Sequence, residues 1–199
     1  DAFDSSKLSS DNRWGHFFST SAGWTFSNEK FFKDNIDSSI MSFGKLRVSW
    51  GQNGNVNVLS NYAYIAGIAT NGQWYQYGPT NQVTYGSMPN GIANPDLTWE
   101  KSEQIDLGLD MRFLDNRLSV GIDWYKKTTK DLLVPAPAMP ESGVSTITIN
   151  AGEVENSGLE MELTWKDNIG DFKYSISGNF ATLKNKATYL DQYIQRIEG

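Results

Sequence analysis

A chain of 199 residues with 39% hydrophobic content and a mean hydropathy of -0.47 is long enough for one domain with a sizeable core, yet holds no run of about 20 apolar residues that would cross a membrane as a helix. Its formal charge of -6 argues against a surface built for phosphate backbones, so nucleic acid is not an expected partner. The 18 Gly, 7 Trp, 9 Tyr and 10 Phe, with no Cys, suit a β-rich chain that needs no disulfide, and they leave the redox compartment open.

Residues 1–12 are polar and read as a loop. From Arg13 to Ser27 the chain alternates: Trp14, His16, Phe18, Thr20, Ala22, Trp24 and Phe26 share one face, with mainly Gly, Ser and Thr opposite. The aromatics gather towards both ends of this expected strand, as in a segment with an aromatic belt at each membrane interface. Residues 28–43 read as a connection with one helical turn. Gly44 to Gly51 alternates again, Leu46, Val48 and Trp50 against Lys45, Arg47 and Ser49. Through residues 52–98 the pattern is lost among G-Q-N-G-N, N-G-Q-W-Y-Q-Y-G-P-T-N and P-N-G-I-A-N-P-D-L, a Gly/Asn/Pro density that predicts a long loop.

Gln104 to Lys126 is the strongest signal in the chain. Ile105, Leu107, Leu109, Met111 and Phe113 share a face opposite Gln104, Asp106, Gly108, Asp110 and Arg112. After a short polar turn at 114–116, Leu118, Val120, Ile122 and Trp124 oppose Ser119, Gly121, Asp123 and Tyr125. This is a β-hairpin. Soluble strands usually run about five or six residues, whereas a tilted strand needs about 9 to 11 to cross a bilayer, and these arms have the longer dimension. In the following loop Pro135, Pro137 and Pro140 forbid a central strand. Alternation returns at Glu153 to Lys166 (Leu159, Met161, Leu163 and Trp165 against Glu160, Glu162, Thr164 and Lys166). A turn at 167–170 leads to a partner strand from Asp171 to about Leu183, and beyond Lys184 the tail reads as a loop or short helix.

About six strands result, joined by short connections at 114–116 and 167–170 and long ones at 52–98 and 128–152. Outer-membrane barrels show this asymmetry, with short periplasmic turns and long extracellular loops, and their alternation hides them from hydropathy windows. By chain parity the 28–43 connection falls with the short turns, although it is longer. The expected pairing is 104–113 with 117–126 and 157–166 with 171–180, apolar faces to lipid. Six strands leave two open sheet edges.

Four stretches resemble the SusC/RagA family of TonB-dependent outer-membrane transporters from Bacteroidetes: K-L-R-V-S-W-G-Q-N-G-N at 45–55, N-P-D-L-T-W-E-K-S-E-Q-I-D-L-G-L-D at 94–110, D-W-Y-K-K-T-T-K-D-L-L at 123–133 and E-V-E-N-S-G-L-E-M-E-L at 153–163. The resemblance implies a barrel of about 22 strands with a plug inside, of which this chain supplies about a quarter of the wall. It implies active import of oligosaccharides or peptides, a SusD-like surface lipoprotein as lid, and energy from TonB through a plug and TonB box outside these residues. The absence of an initiating Met, a signal peptide and a closing aromatic at Gly199 fits the same expectation of a piece of a longer chain.

Asp106, Asp110, Asp123, Glu160 and Glu162 are the residue types of a glycosidase pair, but all five fall on polar strand faces, where a wet lumen needs hydrophilic lining, so no enzyme is expected. His16 stands alone without Cys, so neither a metal nor another cofactor is expected. G-Q-N-G-N lacks the Lys and Ser/Thr of a phosphate loop and reads as a turn leaving the membrane. Trp74, Tyr75, Tyr77 and Tyr85 lie on the long loop, where rings would stack on a sugar or anchor a partner, and they are the candidate contact residues; local packing within the loop is the competing reading. The rival fold is a soluble carbohydrate-binding β-sandwich or jelly roll. The strand lengths, and the placement of Phe113, Trp124, Trp165 and Phe172 near strand ends, count against it.

Overall fold

The computed structural model describes the backbone of residues 1–78 and 82–190, without the side chains of residues 71–77, 82, 84 and 85. Its strands are β1 (Ala2–Asp4), β2 (Trp14–His16), β3 (Ser19–Trp24), β4 (Met41–Asn55), β5 (Ile68–Tyr77), β6 (Gln82–Pro89), β7 (Glu100–Phe113), β8 (Leu118–Lys130), β9 (Leu133–Pro137), β10 (Thr146–Asn150), β11 (Glu153–Ile169) and β12 (Phe172–Tyr189), with one helical turn, α1 (Lys30–Lys33), between β3 and β4. Six of them form an antiparallel sheet in the order β3-β4-β7-β8-β11-β12; the remaining strands pair as β1-β2, β5-β6 and β9-β10.

Register joins the alternating faces into rows. Leu46 lies opposite Leu109, Leu109 opposite Ile122, Ile122 opposite Met161 and Met161 opposite Phe180, with Trp24 opposite Leu46. One apolar row therefore crosses all six strands. The next runs Ala22, Val48, Leu107, Trp124, Leu159, Thr182. From Ile105 to Phe113 the apolar side chains of β7 span about 27 Å along the strand, or about 20 Å once tilted by about 40°, near the height of a lipid-facing band. Leu46, Val48, Leu107, Leu163, Ile176 and Phe180 are all exposed.

The buried residues lie elsewhere. Leu8, Phe17, Val56, Leu59, Leu97, Trp99 and Leu133 pack into one cluster where the long connections leave the sheet. Among the described residues of the six long-sheet strands only Gly44, Gly108, Gly158 and Glu100 are buried. A sandwich would bury one face of this sheet against a second layer about 10 Å away. No such layer exists among the described residues, and the sandwich reading falls.

Several boundaries differ from the sequence expectation. The segment 13–27 is not one strand. Its chain breaks at Phe17, whose ring enters the buried cluster edge-on to Trp99 with 5.6 Å between centroids, and β2 turns aside to pair with β1 inside the expected N-terminal loop. A Cβ at Gly15 or Gly54 would collide with that ring, so both glycines are required for its close approach. G-Q-N-G-N is not a turn: β4 continues through it, with Asn55 opposite Glu100. The 52–98 loop carries the β5-β6 hairpin, and the proline-rich loop carries β9-β10, where Pro135 faces Thr148 and Pro137 faces Thr146. Proline is tolerated there because a two-stranded ribbon leaves one side of each strand unpaired.

The β11-β12 turn is two residues, Gly170 (φ 61°) and Asp171, so Lys166 faces Ser175 instead of Asp171. The shift is four residues, an even number, and leaves every side chain on its expected face. β12 runs on to Tyr189 as strand where a loop or short helix was expected.

Candidate functional site

The polar face of the sheet carries a fixed set of charges. Arg47 lies opposite Gly108, and its guanidinium passes over that glycine to reach two neighbouring strands. Arg47 Nε donates to Asp110 Oδ2 at 2.7 Å and Nη2 to Asp110 Oδ1 at 3.1 Å, a two-point grip, while Nη2 also donates to Asp123 Oδ1 at 2.9 Å. All three side chains keep roughly two-fifths of their surface exposed, so each pair contributes about 1 kcal/mol or less. What the arrangement achieves is position: three charges held in the plane of the wall. A Cβ on Gly108 would stand 2.5 Å from Asp123 Oδ1 and 2.6 Å from Arg47 Cζ. Gly108→Ala is therefore expected to displace the guanidinium and lower stability by about 1 to 3 kcal/mol, read as a reduced urea midpoint of the barrel in vesicles.

Gly158 repeats the device. It faces Tyr125 in register, and the Tyr125 ring lies across it, so that a Cβ there would meet the Tyr125 hydroxyl at 2.8 Å. Next in line Asp106 accepts from Ser49 Oγ at 2.9 Å and Gln104 Nε2 at 2.7 Å. Ser19, Ser21, Ser49, Gln104, Asp106 and Lys127 line a concavity of about 440 Å³ on this face. Glu160 and Glu162 complete the expected carboxylates and share the same face, Glu160 opposite Asp123. Asp106, Asp110 and Asp123 are thus each held by donors from a neighbouring strand or from their own. Among the described residues no three His, Cys, Asp or Glu gather as a metal site.

The base of the long connections is a second site, which the sequence reading did not single out. Glu100 is buried at 7% exposure, its Oε1 accepting from the Leu133 N–H at 2.9 Å and its Oε2 from Asn55 Nδ2 at 2.7 Å. One carboxylate ties the ends of β4 and β7 to the start of β9. Just before it, Asn150 Nδ2 donates to the Thr98 carbonyl at 3.0 Å and Asn150 Oδ1 accepts from the Thr98 N–H at 2.9 Å, while Asn94 Nδ2 donates to the Thr148 carbonyl at 2.9 Å. The run N-P-D-L-T-W-E therefore clamps the β9-β10 hairpin with Asn94, Thr98 and Glu100, and anchors itself in the buried cluster with Leu97 and Trp99. The available signal was polar residues spaced among buried apolar ones in a supposed loop. Beside this clamp, Tyr62, Ile65, Asn90, Asn94, Ile147 and Thr148 line a loop-side concavity of about 740 Å³.

Of the aromatic candidates, Trp74 stands opposite Tyr85 in the β5-β6 ladder, Tyr75 opposite Thr84 and Tyr77 opposite Gln82. Their side chains lie outside the described residues. His16 ends β2 opposite Ala2, at the loop end of the sheet.

Comparison with known proteins agrees with this geometry. A family model for the TonB dependent receptor-like β-barrel matches residues 2–197. The chain is 37% identical to TonB-dependent receptor P3 of Formosa agariphila over 98% of its own length and 19% of that protein's. It is 35% identical to TonB-dependent receptor SusC of Bacteroides thetaiotaomicron over 94% of its length and 18% of that protein's. The RagAB peptide importer in its closed-closed state matches with a TM-score of 0.79 at 28% identity, covering 94% of this chain and 20% of the solved one. The chain thus spans about a fifth of the length of these relatives.

Proposed function

Because this chain belongs to the TonB-dependent receptor β-barrel family and is an outer-membrane wall, we propose that it forms six strands of a larger barrel that imports oligosaccharides or peptides. The observation that carries the reading is the two-sided sheet, with apolar rows across six strands on one face and the Arg47, Asp110, Asp123 and Asp106 cluster on the other. An apolar face left exposed or half-exposed across all six strands needs lipid, and a polar face of this width needs a wet lumen. Open edges at β3 and β12 support further strands on either side; a plug and a TonB contact, carried by other residues, enter the proposal through the family alone.

The short connections at 114–117 and 170–171 belong to the periplasmic side in this reading, and the β5-β6 and β9-β10 hairpins to the cell surface. There the loops meet substrate and a SusD-like lipoprotein lid. Peptides are favoured by the likeness to the RagAB peptide importer, and oligosaccharides stay in the proposal through the family resemblance of the four sequence stretches. The chemistry of the polar face, hydroxyls and amides interleaved with paired charges, suits the hydrogen-bonding groups of either.

Trp74 and Tyr77 on the β5-β6 hairpin are proposed as contacts to substrate or lipoprotein. Trp74→Ala with Tyr77→Ala in the full-length transporter is expected to weaken one of those contacts by about 2 kcal/mol or more while the barrel still inserts. Lipoprotein co-purification, together with growth on a defined oligosaccharide or peptide as sole nutrient, reads the result. Unchanged co-purification and unchanged growth on both nutrients would assign these rings to local packing.

A further inference from the structure

The outward face of the sheet is asymmetric between its two ends. At the short-turn end, register puts Phe113, Leu118, Trp165 and Ile176 in one outward row, then Asp167, ion-paired to Arg117, opposite Tyr174, and then Ile169 opposite Phe172. At the long-loop end the outward row above Leu107 and Trp124 contains Ile105, Lys126, Ser157 and Lys184. The next holds Glu103, Thr128, Glu155 and Lys186, and Lys101 faces Lys130 above that. Five lysines thus crown the lipid-facing side of one rim.

The acids among them are already engaged. Glu155 accepts Lys126 Nζ at 2.8 Å and Glu103 accepts Trp50 Nε1 at 2.6 Å, so these rows hold five lysines against two carboxylates. Lys101, Lys130, Lys184 and Lys186 are exposed and have no ion pair or side-chain hydrogen bond among the described residues. Lysines on an edge strand deter strand pairing, which would account for Lys184 and Lys186 on β12 alone. Lys101 and Lys130 sit on interior strands, where that explanation fails. Their register positions fall just above the apolar band, within reach of the headgroup level for a lysine that extends its stem along the wall, and a cation there gains from an anionic headgroup.

We propose that this rim, Lys101, Lys130, Lys184 and Lys186 with Lys126 beside them, binds phosphate groups of anionic lipid in the leaflet that faces the cell exterior. The assignment to that leaflet rests on the orientation given under Proposed function, but the binding itself is independent of substrate or lipoprotein. It gives the wall a fixed lipid annulus beneath the loops.

The test counts phosphorylated lipid retained by the full-length transporter, extracted from its own membrane in mild detergent, by native mass spectrometry. Replacing Lys101, Lys130, Lys184 and Lys186 with Gln is expected to lower the lipid count at least about threefold. Replacing the inward-facing Lys45, Lys127, Lys166 and Lys173 with Gln removes the same charge from the lumen side and is expected to leave the count unchanged, as is the Lys→Arg version of the outward set. If the outward Gln set fails to insert, the smaller pair Lys184→Gln and Lys186→Gln carries the same expectation in reduced measure. An undiminished count in the outward variants, or an equal fall in the inward ones, overturns the proposal. Nutrient uptake lost with the lipid count intact would bear on the transport reading alone.

Discussion

Leu109→Arg is expected to cost the barrel about 2 to 4 kcal/mol, the price of a cation near the middle of the lipid band. Leu109 occupies the centre of the row that runs from Trp24 through Leu46, Ile122 and Met161 to Phe180, so the guanidinium would have apolar neighbours on both adjoining strands and no carboxylate in its row. Asn179→Arg is the matched control. Asn179 lies opposite Glu162 on the other face of the same wall, where a new cation meets a carboxylate and water. In the full-length transporter, loss of the heat-stable folded band on electrophoresis and a lower urea midpoint in vesicles are expected for Leu109→Arg only.

The second large effect is expected at Glu100. Removing its carboxylate by Glu100→Ala leaves the buried Leu133 N–H and the half-buried Asn55 amide without acceptors. A hydrogen bond to a charged group is worth about 1.5 to 3 kcal/mol, so losing two is expected to cost about 3 kcal/mol or more. Because the strands below do not depend on that carboxylate, the loss should appear as release of the loop base. Limited proteolysis of whole cells is expected to cut within residues 131–152 and 56–99 far faster than in the parent, with the folded barrel band retained. Glu100→Gln keeps one acceptor oxygen and should fall between. Equal cleavage in Glu100→Ala and the parent would show that the apolar cluster of Leu8, Phe17, Leu97 and Trp99 holds the loops without the carboxylate.

The contrast between these two sites explains what the sequence made legible. In β7 and β8 each side chain reports its own environment, lipid or water, and the period-2 pattern needs no knowledge of distant residues; the β7-β8 and β11-β12 hairpins and their apolar faces were readable from it, whereas the β4-β7 and β8-β11 pairings join strands across long connections that the pattern leaves unassigned. Register at the β11-β12 turn was less so, since D-N-I-G offers a turn at every step and only Gly170 adopts the left-handed backbone that closes it. Arg47 was readable as a polar-face residue, but its reach across Gly108 to Asp123 joins positions 76 residues apart. Glu100 was hidden for the same reason: its partners come from Asn55 and Leu133, and nothing local marks a buried carboxylate. The break at Phe17 was hidden by a run whose alternation continues straight through it, while the ring itself answers to Gly15, Gly54 and Trp99. The β9-β10 hairpin was missed because prolines argue against a central strand and say nothing against a two-stranded ribbon.

One face of this wall meets lipid and the other a watery lumen, alternating residue by residue. Spin labels placed one at a time at positions 104 to 113 of the full-length transporter in vesicles read it directly. Labels at 105, 107, 109, 111 and 113 should be accessible to oxygen dissolved in the bilayer, and those at 104, 106, 108, 110 and 112 to a water-soluble paramagnetic reagent, the two profiles in opposite phase with a period of two. Profiles in phase with each other, or the same positions with oxygen accessibility on the Asp106 and Asp110 side, would contradict it.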